Sequence, residues 1–166
     1  MKNIALTSIY KFECFDKDGN LKWEDENHNT VVNTGLDDAL DKYFKGSAYT
    51  AAFYVGLTDG TPTVAAADTM ASHAGWVEVT VYDEATRPAL TLGSVASQSV
   101  DNSASKASFA INADTTTVGG AFVTTNNTKG GSTGTLYGAA ALSAGDKSLD
   151  NGDTLQVTVT LTAASA

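Results

Sequence analysis

The sequence predicts a mainly β protein, a sandwich or barrel of short antiparallel strands carrying a single short helix. Three observations lead there. Residues 4–15 and 154–161 alternate apolar and polar side chains, the period of two that puts every second residue on one face of a sheet. Beyond Pro88, short apolar runs recur between clusters of Asn, Asp, Gly and Ser, as in strands joined by tight turns. Only residues 33–46 show an apolar stripe of helical period.

In the first strand Ile4, Leu6, Ser8, Tyr10, Phe12 and Cys14 share one face, and Thr7, Lys11 and Glu13 the other. Asp16-Lys17-Asp18-Gly19-Asn20 has turn chemistry and residues 21–26 alternate again, so a hairpin is expected over about residues 3–29. The helix is expected over residues 35–45. Thr34 is placed to cap it, with Asp37 three residues on. Asp37, Asp38 and Asp41 load its positive end, Lys42 and Lys45 its negative end, and Gly46 supplies the stop. Leu36, Ala39, Leu40, Tyr43 and Phe44 make one apolar face. So short a helix is marginal alone. Burial of Leu36, Leu40, Tyr43 and Phe44 against a sheet, at roughly 1.5–3 kcal/mol each, is expected to hold it.

Residues 51–57 are apolar on both faces, as expected of a central strand beneath the helix. Residues 65–74 read as a loop, and residues 76–82 as a strand that ends before a turn at Arg87-Pro88. Strands then follow over residues 90–95, 105–111, 118–125, 134–142 and 154–161, with a bulge at Gly119-Gly120 and a long hairpin tip over residues 126–135. Neither half of the chain offers two complete apolar sheet faces. Residues 1–166 are therefore expected to form one domain despite the change of composition near Pro88.

The bulk properties exclude some partners. A chain of 166 residues that is 42% hydrophobic can bury one core of ordinary size. Its charged fraction of 17% is low against about 25% for globular chains, and its net charge is −9. Nucleic acid and anionic membranes are therefore not expected partners, since only ten Lys and Arg are present to neutralise phosphates. No apolar run approaches the roughly 20 residues of a membrane span, and the opening residues alternate rather than form a signal core. The chain is expected to be made and kept in the cytoplasm of the cell that produces it. Cys14 has no partner for a disulfide within the chain and is expected to pack as a small apolar side chain.

No catalytic, cofactor or metal constellation emerges, and no enzyme is expected. His28 and His73 lack partners at metal-ligand spacing, and there is no Gly-x-Ser-x-Gly elbow. Glu24, Asp25 and Glu26 read as a charged strand end. The Asp16 turn opens like a calcium loop, but its glycine stands fourth where such a loop needs it sixth. Asp146, Asp150, Asn151 and Asp153 would hold a hard cation only weakly. Lys129-Gly130-Gly131-Ser132-Thr133-Gly134 lacks the Gly-Lys-Ser/Thr ending of a phosphate loop.

Three longer signatures carry a resemblance. The first is His28-Asn29-Thr30-Val31-Val32-Asn33-Thr34-Gly35-Leu36-Asp37, followed by Phe53-Tyr54-Val55-Gly56-Leu57. The second is Asp68-Thr69-Met70-Ala71-Ser72-His73-Ala74-Gly75-Trp76, continuing from Glu78-Val79-Thr80-Val81-Tyr82 to Arg87-Pro88. The third joins Phe109-Ala110-Ile111-Asn112, Val118-Gly119-Gly120-Ala121-Phe122 and Gly152-Asp153-Thr154-Leu155. Over most of its length the chain resembles small virion proteins of tailed bacteriophages.

The resemblance implies a structural protein of the particle: a capsid decoration (cement) protein with a jelly-roll-like β-sandwich. It would bind the major capsid protein lattice on the outer surface of the virion, without a cofactor. Related proteins labelled as tail or fibre components keep a receptor- or carbohydrate-binding role as the alternative. Self-association as a trimer would suit three-fold positions of a shell. The expected contact elements are the N-terminal hairpin, as an interaction arm with Tyr10, Phe12 and Trp23, and the tip with Asn126, Asn127 and Lys129. Tyr10, Phe12 and Trp23 read equally well as cover for the sandwich core.

Overall fold

The alternating face of the first strand and that of the last predicted one meet. In the computed structural model, which describes residues 4–48 and 52–165, β1 (Ile4–Phe15) pairs antiparallel with β12 (Thr154–Ser165) along its whole length. On its other side β1 pairs with β2 (Leu21–His28), and β12 pairs in succession with β7 (Ala107–Ala110) and β6 (Ser99–Asp101). The second sheet runs in the order β3 (Thr30–Val31), β10 (Leu136–Ala141), β9 (Gly120–Thr124), β4 (Tyr54–Thr58), β5 (Glu78–Val79). β8 (Thr116–Val118) and β11 (Lys147–Leu149) form a separate antiparallel ribbon. Both sheets draw strands from either side of Pro88, so the compositional change there is no seam. The helix α1 spans Asn33–Tyr43.

The sheets close over one main core, giving the expected antiparallel β-sandwich. Tyr10, Phe12 and Cys14 stand opposite Val159, Val157 and Leu155, and all six are wholly buried. They meet Val55 and Leu57 of β4 and Ala121 and Val123 of β9. Burial pushes the Cys14 thiol up to about 12, so it packs as an inert apolar group.

Some predicted strands dissolve for an identifiable reason. Of residues 76–82 only Glu78–Val79 joins a ladder. Val79 pairs with Leu57, whereas Tyr82 bridges to Ile111 beside the first sheet. That segment is therefore divided between the two layers and cannot be one strand. Residues 90–95 belong to no named strand: Leu90 N–H donates to Phe53 O and Gly93 N–H to Asp101 O, at different elements. Gly119 is less a bulge than the crossing point between β8 and β9, where a Cβ would collide with the backbone of Gly60 and Thr61. Part of the central strand expected over residues 51–57 lies outside the described residues.

A second, smaller apolar layer covers the far face of the second sheet. There Val32, Phe122, Leu136 and Ala139 are roofed by Met70 and Trp76 from residues 59–77. His73 lies flat on Trp76, with ring centroids 3.6 Å apart and planes 7° from parallel; Trp76 in turn packs on Phe122 at 4.9 Å.

Arg87 stands over the same Phe122 ring at 5.2 Å. It is 1% exposed, and its guanidinium forks onto Glu78: Nε donates to Oε1 at 2.8 Å and Nη2 to Oε2 at 2.7 Å. Nη1 donates to Asn126 O, Nη2 also to Gly131 O, and Gly130 N–H donates to Glu78 Oε2. The pair thus joins β5, the segment before Pro88 and the β9–β10 loop. Replacing one partner leaves the other charged and buried, which costs about 3–5 kcal/mol. Arg87→Met is expected to lower unfolding free energy by that much, and Arg87→Lys by more than half of it because the fork is lost. Chemical denaturation that found Arg87→Lys equal to wild type would refute this assignment.

His73 gives a second expectation. Burial lowers the pKa of its imidazole below the ordinary value, with nearby Asp68 opposing the shift. The unfolded chain therefore takes up the proton at a higher pH than the folded one. The resulting stability is fully present above about pH 6.5 and is lost as pH falls from there toward the lower folded value. Melting temperatures over that interval should fall more steeply for wild type than for His73→Phe, which keeps the stack. Parallel curves would refute it.

Candidate functional site: the open end of the sandwich

The helix was expected to lie on its apolar face, and the structure overturns that. Among its residues only Gly35 is buried, while Leu36, Leu40, Tyr43 and the C-cap Phe44 are 37%, 56%, 83% and 70% exposed. The reason is the contact at its first turn. Gly35 sits directly on β10, where a Cβ would stand 2.6 Å from Tyr137 O, and Thr34 Oγ1 donates to Leu136 O rather than capping the helix. Val32 holds the N-cap position, and no side chain caps it. The helix is thus mounted by its first turn.

An apolar cleft of about 600 Å³ opens beneath α1. Its floor is the inward face of the first sheet beyond Tyr10, where Leu6 of β1 pairs with Ala163 of β12 and Val100 of β6 pairs with Leu161. The opposite wall is α1 with Ala39, Lys42 and Tyr43, backed by Phe53 and Tyr137 in edge-to-face contact. The third side is a tight reversal in which Ala96 and Ser99 exchange both backbone hydrogen bonds across Ser97 and Gln98. Those two residues have φ of 50° and 60°. Such a turn ordinarily takes Asn-Gly, so local strain is held at the rim of the cleft. Val95, 74% exposed, projects beside it.

Among the described residues nine large apolar side chains are exposed, and six of them belong to this region: Ile4, Leu36, Leu40, Tyr43, Phe44 and Val95. Tyr43 and Val95 line the cleft itself, while Leu36, Leu40 and Phe44 lie further round α1; exposed apolar side chains gathered at one end of a chain are a feature of binding surfaces. Asp38 and Lys42 are the charged side chains lining the cleft. No group of three or more His, Cys, Asp or Glu able to hold a metal occurs among the described residues. Of the oxygen-rich residues singled out in the sequence, Asp150 and Asp153 share one turn and both pair with Lys22 Nζ, at 3.6 and 2.6 Å, whereas Asp146 lies apart and accepts from Thr61 Oγ1. Asp25 is buried and accepts from Ser143 and Ala144. Burial alone would raise its pKa, but those hydrogen bonds outweigh it and hold the carboxyl below its usual range.

The expected contact residues fall elsewhere. Tyr10 and Phe12 are wholly buried and cannot touch a partner; the core-cover reading describes them, with Tyr10 Oη donating to Gly138 O across the sandwich. Trp23 is half-buried and packs on the same core. The 126–135 segment is not a free tip. The Asn126 side chain bonds within the segment, donating to Thr133 Oγ1 and accepting from Thr128 N–H, and Lys129 Nζ lies over the Tyr82 ring while donating to Tyr82 O and Glu84 O. Asn127 stays exposed. Sequence reasoning missed the α1 face and the open ends of β1 and β12, because an amphipathic helix normally buries its stripe.

Comparison with protein-family models, with curated proteins and with solved structures finds no match.

If the helix face is solvated in the free protein, Leu40→Lys with Phe44→Lys should change unfolding free energy by less than about 1 kcal/mol, against the several kcal/mol that core truncation costs. A loss on the core scale by denaturant titration would place that face in a packed interior.

Proposed function

We propose that this chain is an adhesive structural protein of a tailed-bacteriophage particle, a capsid decoration protein that attaches to the major capsid protein lattice through the open end of its sandwich. The observation that carries the reading is the gathering of exposed apolar side chains on α1 and across the cleft from it. The resemblance in sequence supplies the setting. Attachment would bury Leu40, Tyr43, Phe44 and Val95 against the shell and convert unmet apolar area into affinity, while the net charge of −9 suits a position away from packaged DNA. A tail or fibre component is the rival assignment.

Cryo-EM of the particle is the test. Density for this sandwich on the outer shell, with α1 toward the lattice, is expected. Density at the tail would transfer the reading to the fibre alternative, and density within the shell would reject both. Heads lacking the protein should assemble but rupture at lower temperature. Leu40→Lys with Phe44→Lys should abolish retention on purified heads.

A further inference from the structure

A different feature of the same end concerns the sheet edge. Antiparallel pairing sends the backbone groups of successive residues alternately to opposite sides. Ser8 faces the β2 side, because its C=O accepts from Asn29 N–H and its N–H donates to Asn29 Oδ1. By that alternation Ile4 and Leu6 also face that side, but β2 begins pairing only at Ile9–His28. Among the described residues nothing pairs with β1 there. Among the described residues the N–H and C=O groups of Ile4 and Leu6 are therefore left as an open edge, β3 passing close by but turning away to pair with β10.

Other edges of the two sheets are short, charged or covered, β7 being four residues long with Ala110 O accepting from Asp83 N–H and Ala110 N–H donating to Glu84. β2 bears Lys22, Glu24, Asp25 and Glu26; β3 and β5 are two residues long; β6 is three residues long and includes Asp101. Residues 4–10, IALTSIY, contain no charge, proline or glycine, and Ile4 is 76% exposed.

We infer that a second copy of this chain pairs here, β1 against β1 in antiparallel register about a two-fold axis at Ala5. Two arguments select a second copy over another partner. The edge is self-complementary: Ile4 of each copy falls opposite Leu6 of the other, each pair exchanging both backbone hydrogen bonds, with the apolar side chains of both on the cleft face. The register also sets no like charges opposite one another over residues 4–6, so what opposes pairing is only the diffuse, salt-screened repulsion between two chains of net charge −9. The pairing extends the first sheet across two subunits and sets their two clefts side by side.

Sedimentation equilibrium of the full chain over a wide concentration range tests this, with amide hydrogen exchange at low and high concentration. Wild type is expected to pass from monomer to dimer, with the amides of Ile4 and Leu6 protected only in the dimer. Ile4→Pro removes an outward N–H, and Ala5→Lys sets like charges opposite on the axis. Each should weaken dimerisation at least tenfold while leaving the melting temperature of the dilute monomer unchanged. Wild type that stays monomeric, assembles as a trimer, or dimerises undiminished in both variants would overturn the inference. A strictly monomeric chain that still binds phage heads would overturn it and leave the attachment reading standing.

Discussion

The fork between Arg87 and Glu78 is the constraint on which the second layer of this protein depends. A guanidinium is held at 1% exposure only because its donors are used in several directions: on the carboxylate, on two loop carbonyls and over the Phe122 ring. Each partner belongs to a segment with little regular structure of its own. The β9–β10 loop, the stretch before Pro88 and the short β5 are all oriented by this one group. Phe122 then presents its ring to Trp76, and Trp76 to His73, so residues 59–77 lie against the sheet through a stack that ends on the same arginine. Polar pairing and aromatic packing are here one structure.

How much of this was legible depends on whether the signal is local. The alternation in β1 and β12 is a local pattern, and it placed Tyr10, Phe12, Cys14, Leu155, Val157 and Val159 on one face as observed. The turn at Asp16 was equally plain, because Asp16 Oδ1 accepts from Asp18 and Asn20 within the turn. Arg87 was read only as the residue before a proline. Yet it is the single arginine in the chain beside nine lysines, and a fork geometry that Lys cannot supply was the available clue. Residues 76–82 and 90–95 have strand-like composition but divide their hydrogen bonds between elements remote in sequence, which no local pattern reveals.

The helix shows the opposite failure. Its stripe is real, but a stripe specifies only that an apolar face exists. What covers that face is decided by the mounting, and Gly35 permits an approach to Tyr137 so close that the first turn alone is seated. The rest of α1 overhangs a cleft whose rim carries a strained reversal at Ser97 and Gln98. A surface that forgoes both apolar burial and an easy turn is organised for something other than the stability of the isolated chain.

The pairing of β1 with β12 bears on how the molecule comes into being. These strands are separated by most of the polypeptide, yet each supplies the other with its neighbour along the full length of the first sheet. While the ribosome is still working, β1 has only its hairpin mate, and Tyr10, Phe12 and Cys14 have no opposing strand to shelter them. The first sheet therefore cannot close until β12 has been made, and pairing over so long a stretch of chain makes folding slow.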